Sequence, residues 1–261
     1  MAVLPAIRVH SPLMSEFPPN TVFYAIGDVH GVADRLVKLH LAILRHHRDN
    51  HDGQQAVIVH LGDYVDRGPE SREVIETIMG MERRAVENPD LTIISLRGNH
   101  EEMMLEGLTG SAANLDNWLR NGGTSTLNSY RPGRDIDETM LRFPKIHHDW
   151  LSRLPTIFVS QSHKLIFVHA GIDPREYPDG NPQRHLWTRS SRFFDTTTWT
   201  DNPALEGMTV VHGHTPVDDV EVKQSNGHRR INVDTGAVFG GPLTAVVLTN
   251  GQDPDFIQIA P

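Results

Sequence analysis

Residue types able to do chemistry recur in five short stretches of this chain, each placed after an apolar run. They are "GDVHG" (27–31), "GDYVDRG" (62–68), "GNHEE" (98–102), "HAG" (169–171) and "HGHTP" (212–216). Every one sets Asp, Asn or His beside glycine, which permits the tight turns and close backbone approach such loops need. At the ends of parallel strands, loops of this kind gather along one sheet edge, where ligands bind. One polar turn after a strand is only a turn; five on a single rim make a site.

Carboxylate, carboxamide oxygen and imidazole nitrogen, with no sulfur, suit a divalent ion such as Mn²⁺, Fe²⁺ or Zn²⁺. The histidines are too many for a plain Mg²⁺ or Ca²⁺ site. More ligands are on offer than one ion uses, which predicts a pair of ions about 3.5–4 Å apart, bridged by a carboxylate and a water or hydroxide. Such a pair deprotonates the bridging water near neutral pH and draws charge from a phosphoryl group. A phosphate ester also calls for arginine forks, and Arg67 lies within "GDYVDRG". The leaving alkoxide needs a proton, which His100 could supply if a carboxylate such as Asp66 holds it as the imidazolium.

"GDVHG", "GDYVDRG" and "GNHE", in that order and followed by strand ends bearing histidine, resemble the signature of the phosphoprotein phosphatase family of metallophosphoesterases. The segment "LWTR" and the tail "HGHTPV … INVDTGAVFGGPLTAVVL" resemble its bacterial and bacteriophage lambda branch, and the matching motifs span roughly residues 22–248. The resemblance implies that Asp28 and His30 bind one metal, that Asp63 bridges both, and that Asn99, His169 and His214 bind the second. It implies His100 and Asp66 as the acid pair, and Arg67 and Arg189 as the phosphate-binding arginines. Arg192 stands close enough to Arg189 to compete for that role. Of the two histidines in "HGH", the pattern selects His214, directly before Thr215, and leaves His212 in a supporting or core position. The implied fold is α/β: a four-layer αββα sandwich of two mixed sheets flanked by helices.

The elements that must position these residues read the same way. "TVFYAI", "AVIVHLG" and "LTIISLRG" are buried strands. Between them lie "VADRLVKLHLAILRHH", with Leu36, Leu39, Ile43 and Leu44 at helical spacing, and "PESREVIETIMGMERRAV", with Pro69 expected in its first turn. This β-α-β-α-β order predicts parallel strands joined by right-handed crossovers. Residues 102–153 read as a variable helical insert. Beyond it "TIFVS", "KLIFVHAG", "MTVVHG", "DVEVKQ", "RRINVD" and "LTAVVLTN" are short strands separated by turns. Residues 1–20 carry Pro5, Pro12, Pro18 and Pro19 and no periodicity, so they are expected to form an extension to a single catalytic domain over 21–261.

Composition narrows the function. Lys+Arg 24 against Asp+Glu 33 gives a net charge of −9 and no basic field for a nucleic acid. With no cysteine there is no disulfide, thiolate metal site or Cys nucleophile, as in a reducing cytoplasm. No run approaches the ~18–20 apolar residues that cross a bilayer, and the N-terminus lacks the pattern of a signal peptide. A cytoplasmic enzyme without membrane or nucleic-acid partners is therefore expected.

Some residues have plainer readings. Asp234 in "NVDTGA" is expected either to orient a ligand imidazole or to cap a turn. His46-His47 and His147-His148 read as solvated surface. Trp118, Trp150, Trp187 and Trp199 read as packing residues, with Trp187 close enough to Arg189 to help shape the substrate cleft.

The first expectation is a phosphomonoesterase acting on phosphoserine or phosphothreonine, with phosphotyrosine as an extension and small aryl phosphates as assay substrates. Its cofactors would be two divalent ions, Mn²⁺ first, with Fe or Zn²⁺ as alternatives. The rival is a symmetric dinucleoside tetraphosphate hydrolase, against which the presence of Asp66 is taken to count. A non-catalytic binding module is disfavoured because none of the expected ligands is missing.

Overall fold

The computed structural model describes residues 13–14, 16–131 and 143–261. Residues 1–12 and 15 of the N-terminal segment and 132–142 of the helical insert lie outside the described residues.

Three strands, β2 (Val22–Ile26), β3 (Ala56–His60) and β4 (Leu91–Ser95), pair in parallel. They are joined through α1 (Ala33–Asn50) and α2 (Ser71–Ala85), as the β-α-β-α-β order requires. Strands β10 (Leu243–Leu248) and β11 (Asp255–Ile259) extend this sheet antiparallel beside β2, in the order β11-β10-β2-β3-β4. The second sheet runs β1-β5-β6-β7-β9-β8. Its strands are β1 (Leu13–Met14), β5 (Ile157–Ser160), β6 (Leu165–Val168), β7 (Thr209–His212), β8 (Glu221–Ser225) and β9 (His228–Asn232).

Side-chain alternation makes the layers. In β2, Val22, Tyr24 and Ile26 face the helices, while Phe23 and Ala25 face the other sheet. Phe23, Val57, Val59 and Ile94 there meet Phe158, Phe167, Val211 and Ile231. The outer face of the second sheet, with Ile166, Val168 and Val210, is covered by Phe193, Trp199 and Leu205. Successive residues point to opposite faces of a strand, so strands buried on both sides read as the continuous apolar runs seen in the sequence. The result is the αββα sandwich.

Strands β1 and β11 have no counterpart in the sequence reading. Both are edge strands, one only two residues long and the other half exposed, so neither carries a continuous apolar signal. Leu44 is 37% exposed rather than core. Pro69 lies before α2, which begins at Ser71 behind Glu70. Glu70 has a different task, accepting the Ala33 amide of α1 through Oε2 at 3.1 Å.

α3 (Asn99–Thr109), α4 (Ala112–Trp118) and α5 (Thr124–Tyr130) follow β4, and a helix over Lys145–Arg153 precedes β5. His147 is buried there against the Tyr130 hydroxyl at 2.8 Å, contrary to the expectation of a solvated surface. His46 is half-buried, its Nδ1 3.0 Å from the Tyr24 hydroxyl. Among the described residues no helix is long and apolar enough to cross a membrane.

One buried polar pair gives the core a pH response. His40 of α1 and His60 of β3 share a hydrogen bond, Nε2 to Nε2, at 2.8 Å. Burial pushes His40 down to about 4 and, with the His40 charge, pulls His60 down as well. Between about pH 6.5 and 4 the unfolded chain therefore binds protons that the native pair excludes, so stability is complete above 6.5 and falls with pH. The His40 share is on the order of 3 kcal/mol by pH 4. We expect urea midpoints of the metal-free protein to drop between pH 7.5 and 5, and His40→Gln to drop less steeply. An equal slope in the variant would refute the assignment.

Candidate active site

The five polar strand ends do converge. The loops after β2, β3 and β4 meet those after β6 and β7 at the carboxyl ends of the parallel strands, around a cleft of about 310 Å³. Asp63, Asn99, His100 and His214 form its floor, while Arg67, Arg189, Asn121 and Trp187 form its rim. A second cavity, about 330 Å³, opens near Thr21, Thr209 and Leu248 at the opposite strand ends and holds none of these residues.

Asp63 occupies the middle. Its Oδ2 is 3.3 Å from His30 Nε2 and its Oδ1 is 3.4 Å from His169 Nε2, so each oxygen faces a different histidine. Two donor groups thus share one carboxylate: His30, Asp63 and His100 on one side, Asp63, His169 and His214 on the other. Asn99 Oδ1 joins the second group, 2.9 Å from His169 Nε2 and 2.8 Å from His214 Nδ1.

The rings are oriented from behind. His30 Nδ1 bonds the Val65 carbonyl at 2.8 Å and His169 Nδ1 bonds that of Leu61 at 3.2 Å, which leaves each Nε2 lone pair facing the centre. Such outer contacts are how metal-binding imidazoles are held.

Electrostatics fit a cation. Burial raises Asp63, but the adjacent His169, His100 and His30 outweigh it and hold the carboxylate ionised. Burial depresses His169 to about 4 and, with His169 beside it, His214 to about 3, keeping both rings neutral. Burial works against protonating His30 too, yet the hydrogen bond with Asp63 prevails and raises it. A buried anion, the neutral imidazoles of His169 and His214 and the Asn99 amide oxygen converge and supply lone pairs. A divalent ion fits each group.

Asp28 is not in either group. It accepts the His214 amide at 3.2 Å with both oxygens, and burial followed by the neighbouring Asp234 and Asp63 raises it well above the usual carboxylate range. Asp234 is raised for the same first reason, burial, and bonds Asp28. Its Oδ1 also accepts the Gly236 amide at 3.1 Å. Asp234 therefore pairs with a carboxyl and a turn, not with a ligand imidazole.

His100 and Asp66 meet as expected, Nδ1 to Oδ2 at 2.7 Å, both buried. The sequence did not reveal what fixes Asp66. Trp118 Nε1 donates to it at 2.9 Å and Thr126 Oγ1 at 2.7 Å. Trp118 thus does more than pack. Nor was Glu101 singled out: its carboxylate accepts the amides of Asp63, Tyr64 and Gly98 at 2.8 Å each, and burial pushes it up to about 7. It braces the loop that carries Asp63.

Both arginines reach the cleft. Arg67 Nη1 donates to His30 Nε2 at 2.6 Å, and Arg189 Nε donates to His214 Nε2 at 3.3 Å. Arg192 turns away, Nη1 3.7 Å from Asp173. His212 is fully buried and points away from the cleft toward Phe193, accepting from Arg230 Nη1 at 2.9 Å.

Backbone strain concentrates here. His30 (φ 43°), Asp63 (53°), Asp66 (72°), Arg67 (68°) and His214 (68°) all adopt left-handed conformations. Each costs of order 1–3 kcal/mol where a side chain is present and persists only if its surroundings enforce it. The close approach explains two glycines. A methyl on Gly98 would overlap Asp63, and one on Gly213 would overlap Asp28.

A family model described as calcineurin-like phosphoesterase matches residues 21–245. The chain belongs to that family. As a calcineurin-like phosphoesterase it is a hydrolase, and its Asp/His groups are compatible with the paired divalent ions typical of the family. It is 29% identical over 249 residues to bis(5′-nucleosyl)-tetraphosphatase PrpE (asymmetrical) of Halalkalibacterium halodurans, covering 86% of this chain and 89% of that one. It is 26% identical over 245 residues to serine/threonine-protein phosphatase 1 of Salmonella typhimurium, covering 85% and 89%. Among solved structures, a putative diadenosine tetraphosphatase superposes with a TM-score of 0.64 at 20% identity, covering 95% of this chain and 97% of that one. A serine/threonine phosphatase from Saccharomyces cerevisiae reaches 0.60 at 18%, covering 96% and 84%. At these identities the structures speak for the fold alone.

Proposed function

We propose that this calcineurin-like phosphoesterase hydrolyses bis(5′-nucleosyl) tetraphosphates, using two divalent ions, Mn²⁺ first, held by Asp28, His30, Asp63, Asn99, His169 and His214. The observation that carries the reading is the likeness to asymmetrical tetraphosphatases along nearly the whole of both chains. This favours the dinucleoside tetraphosphatase class of the rival over the protein phosphatase expected first, with an asymmetrical cut in place of the symmetric one. Asp66, taken to favour a protein phosphatase, does not outweigh the likeness. The cleft agrees, since two arginines on separate loops can hold successive phosphates of one chain. When bound, the ions supply a nucleophilic hydroxide and neutralise phosphoryl charge. Arg67 and Arg189 orient the phosphates, and His100, held by Asp66, protonates the leaving oxygen. The setting would be the cytoplasm, with no nucleic-acid or membrane partner.

Phosphoserine or phosphothreonine hydrolysis is the second reading, favoured by the likeness to the Salmonella phosphatase. Turnover of diadenosine tetraphosphate and of phosphopeptides in Mn²⁺ separates them. The dinucleotide is expected to show the higher kcat/KM and to yield ATP and AMP. A preference for phosphopeptides would sink the first reading, and two molecules of ADP would restore the symmetric cut.

A further inference from the structure

We propose that Phe239 and Trp187 are nucleobase-stacking platforms, one beside each cleft arginine, so that the site grips a nucleoside polyphosphate by its bases as well as its phosphates. The inference rests on the polyphosphate reading above. Among the described residues these are the only exposed aromatic side chains, at 65% and 43%. Trp187 lines the cleft, and Phe239 stands beside it against the rim arginine Arg67. Arg67 lies over the Phe239 ring, 5.4 Å from its centroid. Trp187 comes two residues before Arg189, its ring 6.3 Å from that of His214, which Arg189 contacts.

Neither ring sits on a loose loop. Phe239 ends a short 3-10 turn between Gly236 and Gly240, both left-handed. Arg35 Nη1 pins that turn by donating to the carbonyls of Ala237 and Gly241 at 2.8 Å each. Trp187 ends the helix Gln183–Trp187, whose His185 carbonyl accepts the Ala170 amide at 2.7 Å, directly after His169. Braced aromatics lose little entropy on binding, and exposing them has no folding benefit. Two aromatic faces, each near a guanidinium, match a ligand with a planar base at each end of a phosphate chain. Stacking also supplies affinity that does not depend on charge, which matters for a polyanion approaching a protein of net charge −9.

The test is competition against p-nitrophenyl phosphate turnover at fixed free Mn²⁺, with diadenosine tetraphosphate and inorganic tripolyphosphate as competitors. The ratio of their inhibition constants isolates the bases. The dinucleotide is expected to bind more tightly in the natural protein. Trp187→Ala and Phe239→Ala should each shrink the ratio about tenfold, within the 5- to 150-fold range of base stacking. Trp187→Phe and Phe239→Tyr should keep most of it. A ratio near one in the natural protein, or one indifferent to both alanine variants, overturns the proposal. Equal weakening of both competitors in Phe239→Ala would show that this ring only props Arg67, which also overturns it. A dinucleotide that competes through these rings without being cleaved would leave the platforms standing and remove the tetraphosphatase reading. Cleavage with an indifferent ratio would do the reverse.

Discussion

Replacing His100 with asparagine is expected to lower kcat by about 10²–10⁴-fold while bound metal stays unchanged, the usual scale of general-acid assistance. The geometry behind this is specific. His100 lines the cleft, and its Nδ1 is fixed at 2.7 Å by an Asp66 that is itself buried and held by Trp118 and Thr126. That leaves Nε2 to serve a leaving oxygen. Asparagine keeps a polar side chain at the start of α3, so the helix and the adjacent Asn99 should survive. The loss should shrink for substrates with acidic leaving groups, because a good leaving group needs little protonation. The check is steady-state kinetics on an aryl phosphate and an alkyl phosphate alongside metal analysis. An unchanged kcat with intact metal would remove His100 from the proposed chemistry.

Asp63→Asn is expected to have the larger consequence. Asp63 is the one carboxylate common to both donor groups, with an oxygen toward each. Asparagine tolerates a left-handed backbone better than most residues, so the turn at φ 53° can persist and the defect should be electrostatic. Metal content measured by atomic emission should fall from two ions per chain to one or none. Activity should fall by at least about 10³-fold, equivalent to several kcal/mol of Lewis-acid stabilisation. Retention of two ions with near-natural activity would mean that Asp63 does not bridge.

Much of the layout was legible along the chain. The parallel strands β2, β3 and β4, their crossover helices and β5, β6, β7 and β10 were visible because strands buried on both faces are written as unbroken apolar runs, and β8 and β9 as short segments bounded by turn residues. Strands β1 and β11 were not, since one is only two residues long and the other is half solvated, and neither carries that signal. The polar strand ends were also readable, because loops after parallel strands must share one rim.

What the sequence by itself determined, then, is which loops carry the donor atoms and on which edge they meet. Only the tertiary structure decided which atoms face inward. It set His214 and Arg189 at the cleft and turned His212 and Arg192 away from it. It bonded Asp28 to Asp234 and set Trp118 and Thr126 on Asp66, 52 and 60 residues away. The physical reason is the same throughout. Spacing and composition specify local elements, but the direction of a side chain depends on backbone angles, here left-handed at five site residues, that distant packing alone can impose.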